Sequence, residues 1–108
     1  MGKFAWNMAK EKITQQDAVL LLLKHKSDIT FSSIRDELPG YYRKNLANTI
    51  QKMIDTSLLG CQQGKKDIDL QYFLTKNGEK IFDRRYTELR NNKSTRKKLD
   101  GLDYAFGM

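Results

Sequence analysis

The sequence predicts a small α+β domain that is mostly α, with a two-stranded hairpin between its third and fourth helices. Two observations carry this prediction. Leu46, Ile50, Met53 and Ile54 recur at helical spacing, and the period changes to alternation after Gly60. The chain has 108 residues, of which 39% are hydrophobic and 31% charged, a balance typical of one globular domain with one modest core.

Capping residues predict the first two helices. Thr14-Gln15-Gln16-Asp17 resembles a capping box, so a helix is expected from about Gln15 to His25. Its run from Val19 to Leu23 leaves no polar face, which predicts a central, buried helix. Thr30 can cap a short second helix that Pro39-Gly40 then ends.

The third helix is expected from about Tyr42 to Ser57, with the apolar stripe as its buried side. A strand from Leu59 to Gln62, a tip at Gln63-Gly64-Lys65-Lys66 and a second strand carrying Ile68, Leu70, Tyr72 and Leu74 form the predicted hairpin. Thr75 can cap a fourth helix from Lys76 to Arg90.

These boundaries divide the chain into three parts. Positions 14–90 form the predicted domain, with a three-helix core, the hairpin and a C-terminal helix. Positions 1–13 are an N-terminal extension, and positions 91–108 are expected to be a basic, flexible tail because 91–98 are polar and show no periodicity.

This order of elements is that of a winged helix-turn-helix domain, and two segments resemble that superfamily in detail. Asp28 to Leu38 resembles the second helix of many bacterial winged-helix regulators. Tyr72-Phe73-Leu74-Thr75-Lys76-Asn77-Gly78-Glu79 is similar to the end of the wing in the MarR, PadR and HxlR groups. The resemblance covers about Thr14 to Arg90 and implies a regulator that binds double-stranded DNA. The chain departs from a typical MarR protein in lacking longer helical extensions and in the unusual turn Pro39-Gly40-Tyr41-Tyr42.

Positive charge is concentrated on the elements that would enter the grooves of DNA. The net charge is +7 overall, −1 over positions 13–40 and +4 over positions 41–66. The predicted major-groove residues, on or just before the third helix, are Tyr41, Tyr42, Arg43, Lys44, Asn45, Asn48, Thr49 and Lys52. Lys65 and Lys66 of the wing are expected at the backbone or minor groove, and the tail could add phosphate contacts through Lys93, Arg96, Lys97 and Lys98. Each set also has a simpler interpretation, as the solvated side of a helix, an ordinary turn or a solubilising tail.

A single domain of this kind would bind a half-site weakly, so a homodimer is expected. The candidate dimerisation residues are Phe4, Trp6, Met8, Phe82, Tyr86 and Leu89. Phe4 and Trp6 could instead cover the domain's own core.

Several functional classes are disfavoured. Cys61 and His25 are the only residues of their kinds, so neither a disulfide nor a Cys/His zinc set can form within one chain. No catalytic constellation with recognisable spacing is present, and we expect no enzyme activity, cofactor or metal. Ala18 to Leu23, the longest apolar run, is too short for a bilayer and no signal peptide is visible, so a cytoplasmic protein without a membrane partner is expected.

Three functional hypotheses follow. The first is a homodimeric transcriptional repressor. The second is a plasmid or phage adaptor for partition or replication, which binds repeated sites and recruits a protein partner through its tail. The third is a winged-helix protein-protein interaction module. The DNA sequence, an inducer and the regulated process are left open.

Overall fold

The structure is a computed structural model that describes residues 12–64 and 70–107. The elements, in chain order, are α1 (Gln15–His25), β1 (Ile29–Thr30), α2 (Phe31–Glu37), α3 (Leu46–Asp55), β2 (Leu59–Gln63), β3 (Leu70–Leu74), α4 (Lys76–Arg90) and α5 (Lys93–Gly107). A 3₁₀ turn at Gly40–Tyr42 separates α2 from α3. None of the described helices is both long and apolar enough to cross a membrane.

Helix α1 is the centre of the core, as its sequence predicted. All six residues from Ala18 to Leu23 are buried, and the helix packs against α2, α3, α4, α5 and β3. The predicted capping box is present: the Asp17 amide donates to the Thr14 hydroxyl at 3.1 Å, and the Asp17 carboxylate accepts from the Thr14 amide at 3.0 Å. Both ends of α1 match the prediction.

The wing is a β2–β3 antiparallel ladder in which Leu59 lies opposite Leu74 and Gln63 opposite Leu70. The two-residue strand β1 adds to the other edge of β3, with Ile29 opposite Tyr72, so the sheet has the order β1-β3-β2. The sequence analysis missed β1 because two residues are too few to show alternation. The wing tip at positions 65–69, including Lys65 and Lys66, lies outside the described residues.

Helix α4 has the predicted boundaries, and Thr75 caps it by accepting from the Gly78 amide at 3.0 Å. The Thr75 hydroxyl also donates to the carbonyls of Ser57 and Leu58, at 2.5 and 3.2 Å. The start of α4 is therefore attached to the beginning of the wing.

The expectation that the basic segment after Asn91 is flexible is wrong. Residues from Lys93 onward form α5, which buries Thr95, Leu99, Leu102 and Phe106 against the core. The Thr95 hydroxyl donates to the Leu89 carbonyl at 2.6 Å, which satisfies the one polar member of the buried stripe. The basic residues occupy exposed positions on either side of Thr95, at Lys93 and from Arg96 to Lys98, and they hide the helical period at the start of α5 in the sequence.

The predicted start of the third helix at Tyr42 is also wrong. Helix α3 begins only at Leu46, because Asn45 has a left-handed backbone (φ 57°) that cannot continue a right-handed helix backwards. The residues Tyr41 to Asn45 therefore belong to the turn before α3 rather than to its first turn.

Candidate nucleic-acid interface

The outward face of α3 is polar and centred on Asn48. Leu46, Ile50 and Met53 are buried, and at about 100° per residue the side opposite them carries Asn48, Gln51, Lys52 and Asp55, all exposed. Asn48, Gln51, Lys52 and Asp55, together with Thr49, surround a shallow depression of about 240 Å³. This face can present amide, ammonium and carboxylate groups to base edges.

Gln51 and Asp55 are members of this face that the sequence analysis missed. The Gln51 amide donates to the Asp55 carboxylate at 3.0 Å. The two residues are four positions apart, so they lie one helical turn from each other on the same side of α3. Glutamine is suited to adenine, and a carboxylate can accept from the amino group of cytosine. The same helical spacing that selected Asn48 and Lys52 would have found both residues.

The turn before α3 presents Tyr41, whose side chain is 81% exposed. Its ring meets the Tyr42 ring edge-on, with centroids 5.0 Å apart. Tyr42 is half-buried against the core, and its pKa is raised chiefly by burial and further by the neighbouring Tyr41 and Asp17. Tyr42 therefore anchors the turn as a neutral phenol, while Tyr41 projects from it.

The other predicted residues of this region differ in their availability. Lys44 and Asn45 are exposed beside Tyr41. The Arg43 guanidinium instead donates to the carbonyls of Leu38 and Asp36, at 2.8 and 3.2 Å, and so closes the end of α2. The Thr49 hydroxyl donates to the side-chain oxygen of Gln15. Both Arg43 and Thr49 are thus engaged in contacts within the chain.

Gln15 was not among the predicted site residues. Its side-chain nitrogen donates to the carbonyls of Tyr42 and Lys44, each at 2.7 Å, while its oxygen accepts from Thr49. These partners are about 30 residues away along the chain, so no local sequence pattern could have indicated them.

Helix α5 brings basic residues close to the turn before α3. A groove of about 600 Å³ separates them, and the described residues that line it are Lys12, Ile13, Tyr41, Tyr42, Ser94, Thr95 and Lys98. Lys93, Arg96 and Lys97 are exposed but point in different directions around α5. Of the four predicted tail contacts, the structure therefore brings Lys98 to the groove beside Tyr41.

The face of α4 expected to mediate dimerisation is used within the chain. Phe82 and Leu89 are buried in its core. Tyr86 packs on Phe82, with ring centroids 5.3 Å apart, and its hydroxyl donates to Asp103 of α5 at 2.5 Å. These three residues therefore take part in packing within the chain, with Phe82 and Leu89 buried and Tyr86 partly exposed beside α5. Phe4, Trp6 and Met8 lie outside the described residues.

His25 and Cys61 have the unremarkable surroundings of structural residues. His25 ends α1, where its Nε2 lies 2.7 Å from the Asp103 carboxylate. Cys61 is an exposed residue of β2. Within residues 12–64 and 70–107, no group of three or more His, Cys, Asp or Glu side chains could hold a metal ion.

No protein-family model matches the chain, and no curated protein matches it in sequence. Among solved structures, it is similar to one described as a MarR-like transcription regulator from Bacillus cereus ATCC 10987, with a TM-score of 0.56 and 21% identity. The match covers 81% of this chain and 69% of that one. At this level of identity the likeness concerns the fold. The chain has a winged helix-turn-helix fold, as its sequence predicted.

Proposed function

We propose that this chain binds double-stranded DNA sequence-specifically and acts as a transcription regulator, most simply as a homodimeric repressor. The outward face of α3 is the observation that supports this proposal. It carries Asn48, Gln51 and Lys52, all exposed, on a fold shared with a protein described as a transcription regulator.

In the proposed complex, α3 enters the major groove with Asn48 at its centre. Asn48 and Gln51 have the donor and acceptor pair that adenine matches, and Lys52 can reach a guanine or a phosphate. Tyr41 and Lys44 are exposed just before α3, and in this proposal they contact the DNA backbone at the edge of the groove. Lys98 and Lys12 beside the turn, and Lys65 and Lys66 of the wing, extend the contact to flanking phosphates.

The proposed contacts predict a strong dependence of binding on salt. If about six cations each neutralise one phosphate, the logarithm of the affinity falls with the logarithm of the salt concentration at a slope of roughly −5. A winged-helix module that binds proteins instead of DNA would show no such slope with random duplex.

Selection of bound fragments from genomic DNA, followed by anisotropy titrations, tests the proposal. Asn48→Ala is expected to lower the preference for the selected site over random duplex about tenfold, since one good base contact contributes about 1–3 kcal/mol. Lys66→Ala should weaken both duplexes alike. Asn91→Ala, at an exposed asparagine between α4 and α5, is the matched control. Unchanged discrimination in Asn48→Ala would show that α3 does not read the bases.

A further inference from the structure

Helix α3 begins without a cap of its own. Asn45 occupies its N-cap position in the left-handed conformation, and the Asn45 side chain makes no capping hydrogen bond within the described structure. The preceding turn is closed by three local main-chain bonds, from the Tyr42 amide to Pro39 at 2.9 Å and from the Arg43 amide to Gly40 and the Leu46 amide to Arg43 at 3.2 Å each. Because Arg43 is bonded to the end of α2, its side chain does not hold α3 either. A side chain from another element makes a further connection between this turn and α3.

The Gln15 side chain supplies that connection. Its two N–H groups donate to the carbonyls of Tyr42 and Lys44, at 2.7 Å each, and its carbonyl oxygen accepts from the Thr49 hydroxyl in the first turn of α3. The two main-chain carbonyls can only accept, so the orientation of the amide is determined by its partners. A glutamine can make all three bonds at once, whereas a glutamate has no hydrogen to donate to the two carbonyls.

Gln15 is itself attached to the rigid part of the domain. It is the first residue of α1, directly after the Thr14 cap and two residues before Asp17. The Asp17 carboxylate accepts two hydrogen bonds from Arg85 of α4, at 3.0 and 2.7 Å, and its side chain is only 4% exposed. The amide of Gln15 therefore holds α3 in relation to both α1 and α4.

We propose that Gln15 is a positioning residue for DNA recognition, which fixes the angle at which α3 presents Asn48 and Gln51 to the major groove. This inference rests on the proposed function of α3. Gln15 bonds to the turn and to Thr49 at the side of α3. It is not itself part of the outward face that carries Asn48 and Gln51. Contacts to bases require accurate placement, whereas phosphate contacts tolerate small displacements. Loss of Gln15 should therefore reduce sequence discrimination more than general affinity for DNA.

The test compares Gln15→Ala and Gln15→Glu with wild type, using duplexes of the selected sequence and of random sequence. Both variants are expected to lower the ratio of the two affinities about tenfold, and Gln15→Ala, which adds no charge, should change the random-duplex affinity by less than about twofold. Gln16→Ala is the matched control, because the adjacent Gln16 makes no side-chain hydrogen bond to the residues described. Leu102→Ala, a core change in α5, controls for lost stability and should leave the ratio unchanged.

Hydrogen exchange provides a readout that does not depend on DNA. In Gln15→Ala, the amides of Leu46 and Thr49 should exchange about tenfold faster, while amides in the middle of α4 keep their rates. Unchanged exchange at both amides overturns the inference. If wild type prefers the selected duplex over the random one, an unchanged affinity ratio in the Gln15 variants also overturns it. A wild type without discrimination overturns the proposed function, and with it the role of Gln15 in recognition. The wild-type titration alone distinguishes that result from the other two.

Discussion

At the scale of single residues, two helical glycines make opposite predictions. A Cβ added at Gly78 would lie 2.1 Å from the Leu58 carbonyl oxygen, whereas one added at Gly101 would meet no described atom within 4 Å. Gly78→Ala should therefore push α4 away from the start of the wing and lower the free energy of unfolding by about 3 kcal/mol. Gly101→Ala should raise it by about 1 kcal/mol, because alanine favours a helix. Urea denaturation measures both changes.

The two glycine variants also control for each other, since each replaces the same residue type within a helix. Equal stabilities for Gly78→Ala and wild type would contradict the close approach of α4 to Leu58. That approach gives a physical reason for the glycine in the segment Leu74-Thr75-Lys76-Asn77-Gly78.

The Asp17–Arg85 ion pair supports a second residue-scale prediction. Asp17 is buried at the start of α1, and Arg85 bonds both of its carboxylate oxygens from α4. Arg85→Ala would leave the carboxylate buried without its cation, at a cost of about 3 kcal/mol. The neighbouring Arg84 is exposed, so Arg84→Ala should change stability by less than about 0.5 kcal/mol. Chemical denaturation measures both variants, and similar losses in the free energy of unfolding would contradict the role of the Asp17–Arg85 ion pair.

At the scale of elements, α5 is a structural part of the domain and not a detachable tail. Phe106 is 1% exposed near its end, and Leu99 and Leu102 are buried with it. Phe106→Ala should cost about 3–5 kcal/mol, because it leaves a cavity in the core. Lys97→Ala on the exposed side of the same helix is the control, with an expected change below about 0.5 kcal/mol.

Thermal or urea unfolding checks the α5 prediction, and a Phe106→Ala protein as stable as Lys97→Ala would refute it. The same packing changes what removal of positions 91–108 would do. Such a deletion would expose the apolar surface that α5 covers, so it should unfold the domain instead of removing a separate partner site.

The elements also show which parts of the fold a sequence reveals. The starts of α1 and of α4 were predicted correctly, because Thr14 and Thr75 cap these helices through local contacts. Helix α5 was missed since its buried stripe begins with Thr95, a polar residue among basic ones. The start of α3 was misplaced because the spacing of apolar residues does not reveal that the backbone of Asn45 is left-handed.

The candidate site was predictable only in part for the same reason. The polar outward face of α3 follows from helical spacing, and that spacing found Asn48 and Lys52. The engagement of Arg43 with α2 and of Thr49 with Gln15 depends on how distant elements pack. A pattern within one helix cannot distinguish such side chains from those that project into solvent.

At the scale of the whole molecule, three tyrosines predict instability at alkaline pH. Tyr42 in the turn, Tyr72 in the sheet and Tyr86 between α4 and α5 each have a pKa raised above the ordinary 10.0, in each case chiefly because of burial. The folded state therefore holds these protons more tightly than the unfolded state does. Their contribution to stability is fully present below the unfolded pKa and is lost as the pH rises through the folded values.

The melting temperature should accordingly fall as the pH passes about 10. Tyr72→Phe isolates the effect, because the Tyr72 hydroxyl donates no hydrogen bond to a described residue and phenylalanine keeps the packing. This variant should lose less stability between pH 9 and pH 11 than wild type, whereas lysines titrate alike in both proteins. Melting curves and tyrosinate absorbance, recorded together, provide the measurement. If tyrosinate absorbance developed fully around the ordinary pKa while the circular dichroism stayed native, the three phenols would not be protected by the fold.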